Sequence, residues 1–326
     1  MNELYITIAV AVLASLAVSV TVANIIVARI IFWNTLTRKK KDSWNNTVSY
    51  DDPELKEMYE EGTGYIKQFA DKKIKLHTVN EGFNLFAEYY DFGYDRAVII
   101  VPGRTEGMTY SSYYVKAYIE SGYNVLTLDQ RCHGKSDGKY SSFGFNESRD
   151  LLHWGEIIHN DFGVNSIVLH GICIGCACSM YALTADNCPD YFNGFVADGM
   201  YSTFYHSFKR RMKGFHAPSF IVIDFVNMFA KHYTGYSMKI GPIHKIANYK
   251  KPLLMLHGDA DFYSVPEKAK ELFAKAGTPD EQKRLVWFKD GQHSRLRLYH
   301  TELYDNSIKS FLTEVVDKQT AEKSAE

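Results

Sequence analysis

The 326 residues carry 37 Lys and Arg against 38 Asp and Glu, a formal net charge of −1, with 46% hydrophobic and 14% aromatic side chains. That balance excludes the basic footprint of a nucleic-acid-binding protein and gives no sign of a polyacidic partner. Five cysteines, an odd number with three crowded together, do not make a secreted disulfide framework and suit a reducing compartment.

The first predicted element is an apolar helix. No charged residue occurs from Leu4 to Ala28, and the apolar run resumes after Arg29 as Ile30-Ile31-Phe32-Trp33, which exceeds the roughly 20 residues needed to cross a bilayer. Residues 1–33 are therefore expected to form a transmembrane anchor, with Trp33 at the interface and Arg38, Lys39, Lys40 and Lys41 as a basic cluster behind it. A signal peptide would place positive charge ahead of its apolar core, whereas this chain opens Met1-Asn2-Glu3, although the small residues around Thr21-Val22-Ala23 mimic a cleavage site. By the positive-inside rule the cluster stays cytoplasmic, giving a single-pass protein of the cell membrane whose C-terminal domain faces the cytoplasm. Residues 34–72 read as a basic juxtamembrane linker with a short helix over Pro53 to Glu61.

Residues 73–316 are expected to form one α/β domain, a size such folds reach without division. Ile74 to Val79 and Phe83 to Tyr90, separated by Glu81-Gly82, read as a hairpin. Strands then alternate with helices: Ala97 to Val101, a helix near Ser111 to Ser121, Asn124 to Leu128, a helix near Glu147 to His159, and Ser166 to Leu169. The alternation predicts a mainly parallel sheet with helices on both faces. The fifth strand runs into Gly171-Ile172-Cys173-Ile174-Gly175 and then a helix-prone stretch. A strand passing through a glycine-flanked turn into a helix has the geometry of a nucleophile elbow, with Cys173 at its tip. The competing reading makes Cys173, Cys176 and Cys178 small packing residues between helix and sheet. Zinc is not expected, because no second cysteine or histidine pair follows at suitable spacing.

Farther along, Gly194 to Ala197 is a strand ending in Asp198, and Lys251 to Leu256 leads into a loop that holds both Asp259 and Asp261. Arg284 to Phe288 is followed by Asp290-Gly291-Gln292-His293-Ser294, which places His293 in a loop before the last helix. Carboxylates and histidines in loops after parallel strands share the carboxyl edge of the sheet, where open α/β sheets place their chemistry. Between Gly199 and Tyr249 the chain is aromatic and basic, including Phe204, Phe208, Phe215, Phe225 and Phe229, and reads equally as core or as an apolar cover. Lys209, Arg210, Arg211 and Lys213 read as a solvated helix face, with anionic lipid headgroups as the alternative. His133, His170 and His257 are expected to be structural, and the polar residues 317–326 to form a disordered tail.

These stretches resemble the α/β-hydrolase superfamily, and in particular its serine-aminopeptidase-like and monoacylglycerol-lipase-like members, from about Lys72 to Val316. Asp129-Gln130-Arg131-Cys132-His133-Gly134-Lys135-Ser136 matches the family's D-x-R-x-H-G-x-S segment. The chain departs from the family in Pro102-Gly103 for His-Gly, in Cys173 for serine, and in one extra residue between the acid and Val265-Pro266. The resemblance implies Cys173 as nucleophile, His293 as general base and then acid, and Asp261 as the orienting carboxylate, ahead of Asp259 and Asp198. It also implies an oxyanion hole from the backbone N–H groups of Ile174 and Arg104, and a short lid over residues 199–249. The implied activity is hydrolysis of an ester or thioester with an apolar acyl group, on a small-molecule or lipid-like substrate, through an acyl-enzyme and without cofactor or metal. A thiol also suits transfer to an amine, as in the bile-acid-CoA:amino acid N-acyltransferases, which resemble this chain in their elbow cysteine. A catalytically inactive, membrane-tethered binding module is the alternative of a different class.

Overall fold

Continuous apolar runs flanked by turns give the strands, and amphipathic stretches between them give the helices; the computed structural model describes residues 2–41, 43–45, 52–214 and 220–325. Among these, eight strands form one sheet: β1 (Lys73–Asn80), β2 (Phe83–Tyr90), β3 (Arg96–Val101), β4 (Asn124–Asp129), β5 (Ser166–Ile172), β6 (Phe192–Asp198), β7 (Leu253–Gly258) and β8 (Lys283–Phe288). Their order is β1-β2-β4-β3-β5-β6-β7-β8. The β1–β2 and β2–β4 pairs are antiparallel and all others are parallel. Successive residues of β3 serve opposite faces: Ala97, Ile99 and Val101 enter one buried cluster, Val98 and Ile100 the other. A strand covered on both sides is buried along its whole length and mostly apolar, which is why β3, β4 and β5 lack the alternation seen in β1. This is the α/β-hydrolase fold.

The helices are α1 (Asn2–Thr35), α2 (Pro53–Lys67), α3 (Met108–Ser111), α4 (Lys116–Glu120), α5 (Glu147–Phe162), α6 (Ile174–Leu183), α7 (Phe204–Gly214), α8 (Val222–Thr234), α9 (Pro266–Lys275), α10 (Leu296–Tyr299), α11 (Thr301–Phe311) and α12 (Lys318–Ala325). Three differ from the sequence reading. The helix expected over Ser111 to Ser121 is broken into α3, a 3-10 turn over Ser112–Tyr114 and α4, because α2 presses so closely that a Cβ on Gly62 would lie 2.5 Å from the Tyr113 nitrogen. The tail expected to be disordered is α12: its Lys, Gln, Ala and Glu residues are good helix formers, and they extend a helix already nucleated by α11 and the π-helical turn Leu312–Asp317. Asp317, at its start, accepts from the Tyr123 hydroxyl at 2.6 Å and pairs with Arg96 at 2.9 Å.

The third is α1, long and apolar enough to cross a membrane, yet only part of it stands free. Residues 3–23 are exposed, whereas Ala28 and Phe32 of its last turns, with Leu36 just beyond, are buried against Val222, Val226 and Ala230 of α8. Phe32 stacks on Tyr233 at 5.2 Å, and Lys139 sits 4.9 Å over the Trp33 ring. Arg38 does not act as a free interfacial cation. It is 5% exposed and donates to the carbonyls of Ser136, Gly134 and Lys40, because a buried guanidinium needs acceptors for its fixed fork of N–H groups. Residues 46–51 of the linker and 215–219, including Phe215, lie outside the described residues.

Candidate active site

β5 ends at Ile172 and α6 begins at Ile174, so Cys173 alone makes the turn, at φ 53° and ψ −110°. A non-glycine residue there is strained. The flanking glycines follow from close approach: a Cβ on Gly175 would lie 2.1 Å from the Val101 carbonyl oxygen, and one on Gly171 would lie 2.6 Å from the Cys176 nitrogen. The Cys173 N–H donates to the Asp198 carbonyl at 2.9 Å, which fixes the turn to the neighbouring strand. Its side chain lines a cavity of about 790 Å³. Cys176 and Cys178 are fully buried, donate to the Gly171 carbonyl and the Gln130 side-chain oxygen, and have thiols pushed well up by burial. The packing reading thus fits those two, whereas Cys173 is only partly buried and packs at the edge of two core clusters.

Asp261 and His293 meet at the carboxyl edge. His293 Nδ1 lies 2.7 Å from Asp261 Oδ2, while Asp261 Oδ1 accepts from the backbone N–H groups of Tyr263 and Ser264, each at 2.8 Å. Burial acts to raise the Asp261 carboxyl, but the His293 charge and these hydrogen bonds hold it below the usual carboxylate range. For His293, burial opposes the imidazolium, yet Asp261 and then Cys173 outweigh it and raise the group well above an ordinary histidine. Of the two other acids, Asp259 is exposed. Asp198 is buried and accepts from the Tyr304 hydroxyl at 2.8 Å, while its Oδ1 has no partner among the described residues; burial pushes this carboxyl to about 7.

The turn after β3 carries Arg104, whose N–H has no acceptor among the described residues, and Ile174, as first residue of α6, has no carbonyl four residues back within its helix. Both donors are thus available. The D-x-R-x-H-G-x-S segment braces this turn. His133 Nε2 accepts from the Thr105 N–H at 3.2 Å, Asp129 Oδ1 accepts from the Met108 N–H at 2.9 Å, and Gln130 donates to the Pro102 carbonyl. Burial lowers His133 to about 4, so the ring is neutral at pH 7, with Nδ1–H donating to the Arg131 carbonyl. Glu106, which the sequence reading missed, accepts from the Gly103 N–H at 2.8 Å and is pushed to about 7 by burial. Its only sequence signal is a carboxylate three residues past a turn glycine. His170 meets the Tyr304 hydroxyl, and His257 meets the Ser264 carbonyl that closes the Asp261 turn.

The cavity wall is part aromatic and part charged. Phe204 and Phe208 of α7, with Tyr201, Phe262 and Tyr263, supply the aromatic side, whereas α8 contributes nothing to the lining and faces α1. The basic stretch of α7 is not simply solvated: Arg210 donates to the Phe262 carbonyl at 2.6 Å, and Arg211 lies 5.7 Å over the Tyr263 ring, so both grip the loop that carries Asp261. Also in the lining, Arg295 pairs with Asp52 at 2.9 Å and Glu54 at 3.1 Å. Among the described residues no group of three or more His, Cys, Asp or Glu side chains is arranged to hold a metal ion.

Comparison with known proteins places this geometry in context. A family model described as the alpha/beta hydrolase fold matches residues 96–231. The uncharacterized protein YqkD of Bacillus subtilis (strain 168) is 24% identical over 279 residues, covering 78% of this chain and 90% of that protein. Among solved structures, the esterase Pf2001 of Pyrococcus furiosus superposes with a TM-score of 0.65 at 24% identity, over 77% of this chain and 94% of its own. Est1E of Butyrivibrio proteoclasticus, solved with ferulic acid bound, gives a TM-score of 0.57 at 19% identity, over 74% and 99% of the respective chains.

Proposed function

We propose that this chain, which has the α/β-hydrolase fold, is an ester or thioester hydrolase acting through Cys173, His293 and Asp261. The observation that carries the reading is the 2.7 Å contact of His293 Nδ1 with Asp261, which leaves Nε2 for a thiol held on a strained elbow over the same cavity. In this mechanism Cys173 Sγ attacks the carbonyl carbon and its proton passes to His293. The oxyanion is received by the N–H groups of Ile174 and Arg104. His293 then protonates the departing alcohol or thiol, and a water activated by the same imidazole cleaves the acyl-enzyme. Asp261 fixes the tautomer and stabilises the imidazolium without taking the proton. The aromatic wall suits an apolar acyl or aromatic group beside the reacting carbonyl. Esterase appears in the name of one structural relative, Pf2001 of Pyrococcus furiosus, which accords with the reaction class.

The test is intact-protein mass spectrometry after incubation with an activated acyl ester. A single acyl adduct is expected in the wild type and none in Cys173→Ala; undiminished acylation of that variant removes Cys173 from the mechanism. Adding an amine acceptor separates hydrolysis from transfer, since amide product at the expense of acid would assign the N-acyltransferase reaction. We place the domain on the cytoplasmic side of the cell membrane, on the strength of Lys39, Lys40 and Lys41, which are exposed after α1. Protease added to intact cells should leave it uncut, and digestion from outside would reverse the orientation.

A further inference from the structure

Arg104 does not end in a salt bridge. Arg104 lines the cavity with Cys173 and His293. The one hydrogen bond it makes among the described residues is from Nη1 to the Thr35 carbonyl, at 3.2 Å. No carboxylate lies within ion-pairing range of it among the described residues, whereas Arg295, which lines the same cavity, has two. Glu106, two residues on, is committed to the Gly103 N–H. A guanidinium presents five donors in a planar fork suited to carboxylate or phosphate, and Arg104 uses one of them. Arg104 is half-buried, and leaving such a charge partly desolvated and uncompensated is costly unless something else brings the counter-charge. Burial, and then the charge of Arg211 nearby, pull its pKa down to about 10, outweighing the smaller opposing effects of Cys173, Glu106 and Tyr263.

We propose that Arg104 is an anion-reading residue of this site. Its guanidinium receives a carboxylate or phosphate oxygen carried by the substrate, while its backbone N–H faces the carbonyl under attack. The substrate class is then an ester or thioester that combines an apolar portion, set against Phe204, Phe208 and Tyr263, with one negatively charged group. The proposal rests on the acyl-transfer reading for the identity of the reacting carbonyl, but the anion subsite is testable without turnover.

Cys173 is alkylated with iodoacetate and with iodoacetamide, a charged and a neutral reagent of equal reach, in the full-length protein in detergent. The quantity read is the ratio of the two rates within each variant. In the wild type iodoacetate should be favoured relative to the same ratio on a free thiol, and Arg104→Gln should lower that ratio about ten-fold, the usual scale of a charge-assisted hydrogen bond. Arg104→Lys, which keeps the charge, should retain part of the preference and controls for folding. If Arg104→Gln leaves the ratio unchanged while shifting the pH profile of iodoacetamide alkylation, Arg104 serves the thiolate and the proposal is overturned. An unchanged ratio with an unchanged profile overturns it equally.

The turnover arms locate the charge. Mono-p-nitrophenyl adipate carries its carboxylate on the acyl side and p-nitrophenyl hexanoate is its neutral counterpart. The hexanoyl ester of 4-hydroxybenzoate carries the charge on the leaving group, with phenyl hexanoate as its control. The wild type should prefer one charged ester over its neutral partner through KM, with the preference lost in Arg104→Gln; preference for neither counts against the proposal. Should no ester be turned over at all, the hydrolase reading fails, and the alkylation ratio still decides the anion subsite.

Discussion

Asp198 and Asp261 lie at the ends of neighbouring strands, both buried, and their surroundings drive them in opposite directions. Asp261 receives two backbone N–H groups and an imidazole, whereas Asp198 receives one hydroxyl and leaves Oδ1 without a partner among the described residues. A carboxyl whose folded pKa is lowered adds stability above its ordinary pKa and loses it as pH falls through the folded value. One whose folded pKa is raised adds stability below its ordinary pKa and loses it as pH climbs through the folded value. Asp198, raised from 3.8 to about 7, therefore makes the protein less stable as pH rises across that window. Asp198→Asn should raise Tm relative to wild type at about pH 8 and change it little near pH 4. Glu106, raised to about 7 by the same cause, leaves part of the slope in place. Scanning calorimetry of both proteins across this range checks the sign; a Tm gain that is larger at acid pH refutes it. Activity separates the acids along another axis: Asp261→Asn should lower kcat/KM by about a thousand-fold or more, since the amide favours the wrong tautomer. Asp259→Asn, at an exposed position, should stay within about two-fold.

At the scale of elements, two glycines of α2 set up a comparison within one helix. Gly64 is exposed with nothing within 4 Å of a built Cβ, whereas Gly62 faces the backbone of Tyr113 at 2.5 Å. Gly64→Ala should stabilise by about 0.5–1 kcal/mol, the helix-propensity difference, and Gly62→Ala should destabilise by more than it gains. Urea midpoints of the two variants decide this, and equal shifts would mean α2 is not held against the 3-10 turn. The strands were legible because a doubly covered parallel strand is a bounded apolar run, and Cys173, Asp261 and His293 could be ordered along one sheet edge from the loops they occupy. What sequence could not show depends on contacts between distant segments. Gly62 looks like any helix glycine until Tyr113 is brought against it, and Arg38 reads as a surface cation until carbonyls 96 and 98 residues away surround it. Glu106 and the Arg104 guanidinium escaped for a related reason, as neither pattern nor spacing states whether a charged side chain near a turn has a partner.

On the scale of the whole molecule, α1 is two devices in one helix. Residues 3–23 are exposed, and at 1.5 Å per residue they extend for about 30 Å, the hydrocarbon thickness of a bilayer. The turns from Asn24 onward belong to the domain: Ala28, Phe32 and Leu36 fill the groove of α8, and Thr35 supplies the carbonyl that Arg104 holds. Two truncations should therefore behave differently although both remove the exposed apolar stretch. A chain beginning at residue 24 should be soluble without detergent, fold with nearly the full-length Tm, and keep whatever activity the full chain has toward water-soluble esters. A chain beginning at residue 37 loses the burial of Phe32 and Leu36, worth about 3–6 kcal/mol at 1.5–3 kcal/mol per side chain, and exposes Val222, Val226 and Ala230. It should melt earlier, bind hydrophobic dyes and aggregate. Because it also releases Arg104 from Thr35, its discrimination between iodoacetate and iodoacetamide should change even in the fraction that stays folded, while the chain beginning at residue 24 should match the full-length protein. Equal melting temperatures for the two truncations would mean that α1 is only a tether, and that its contacts with α8 do not support the site.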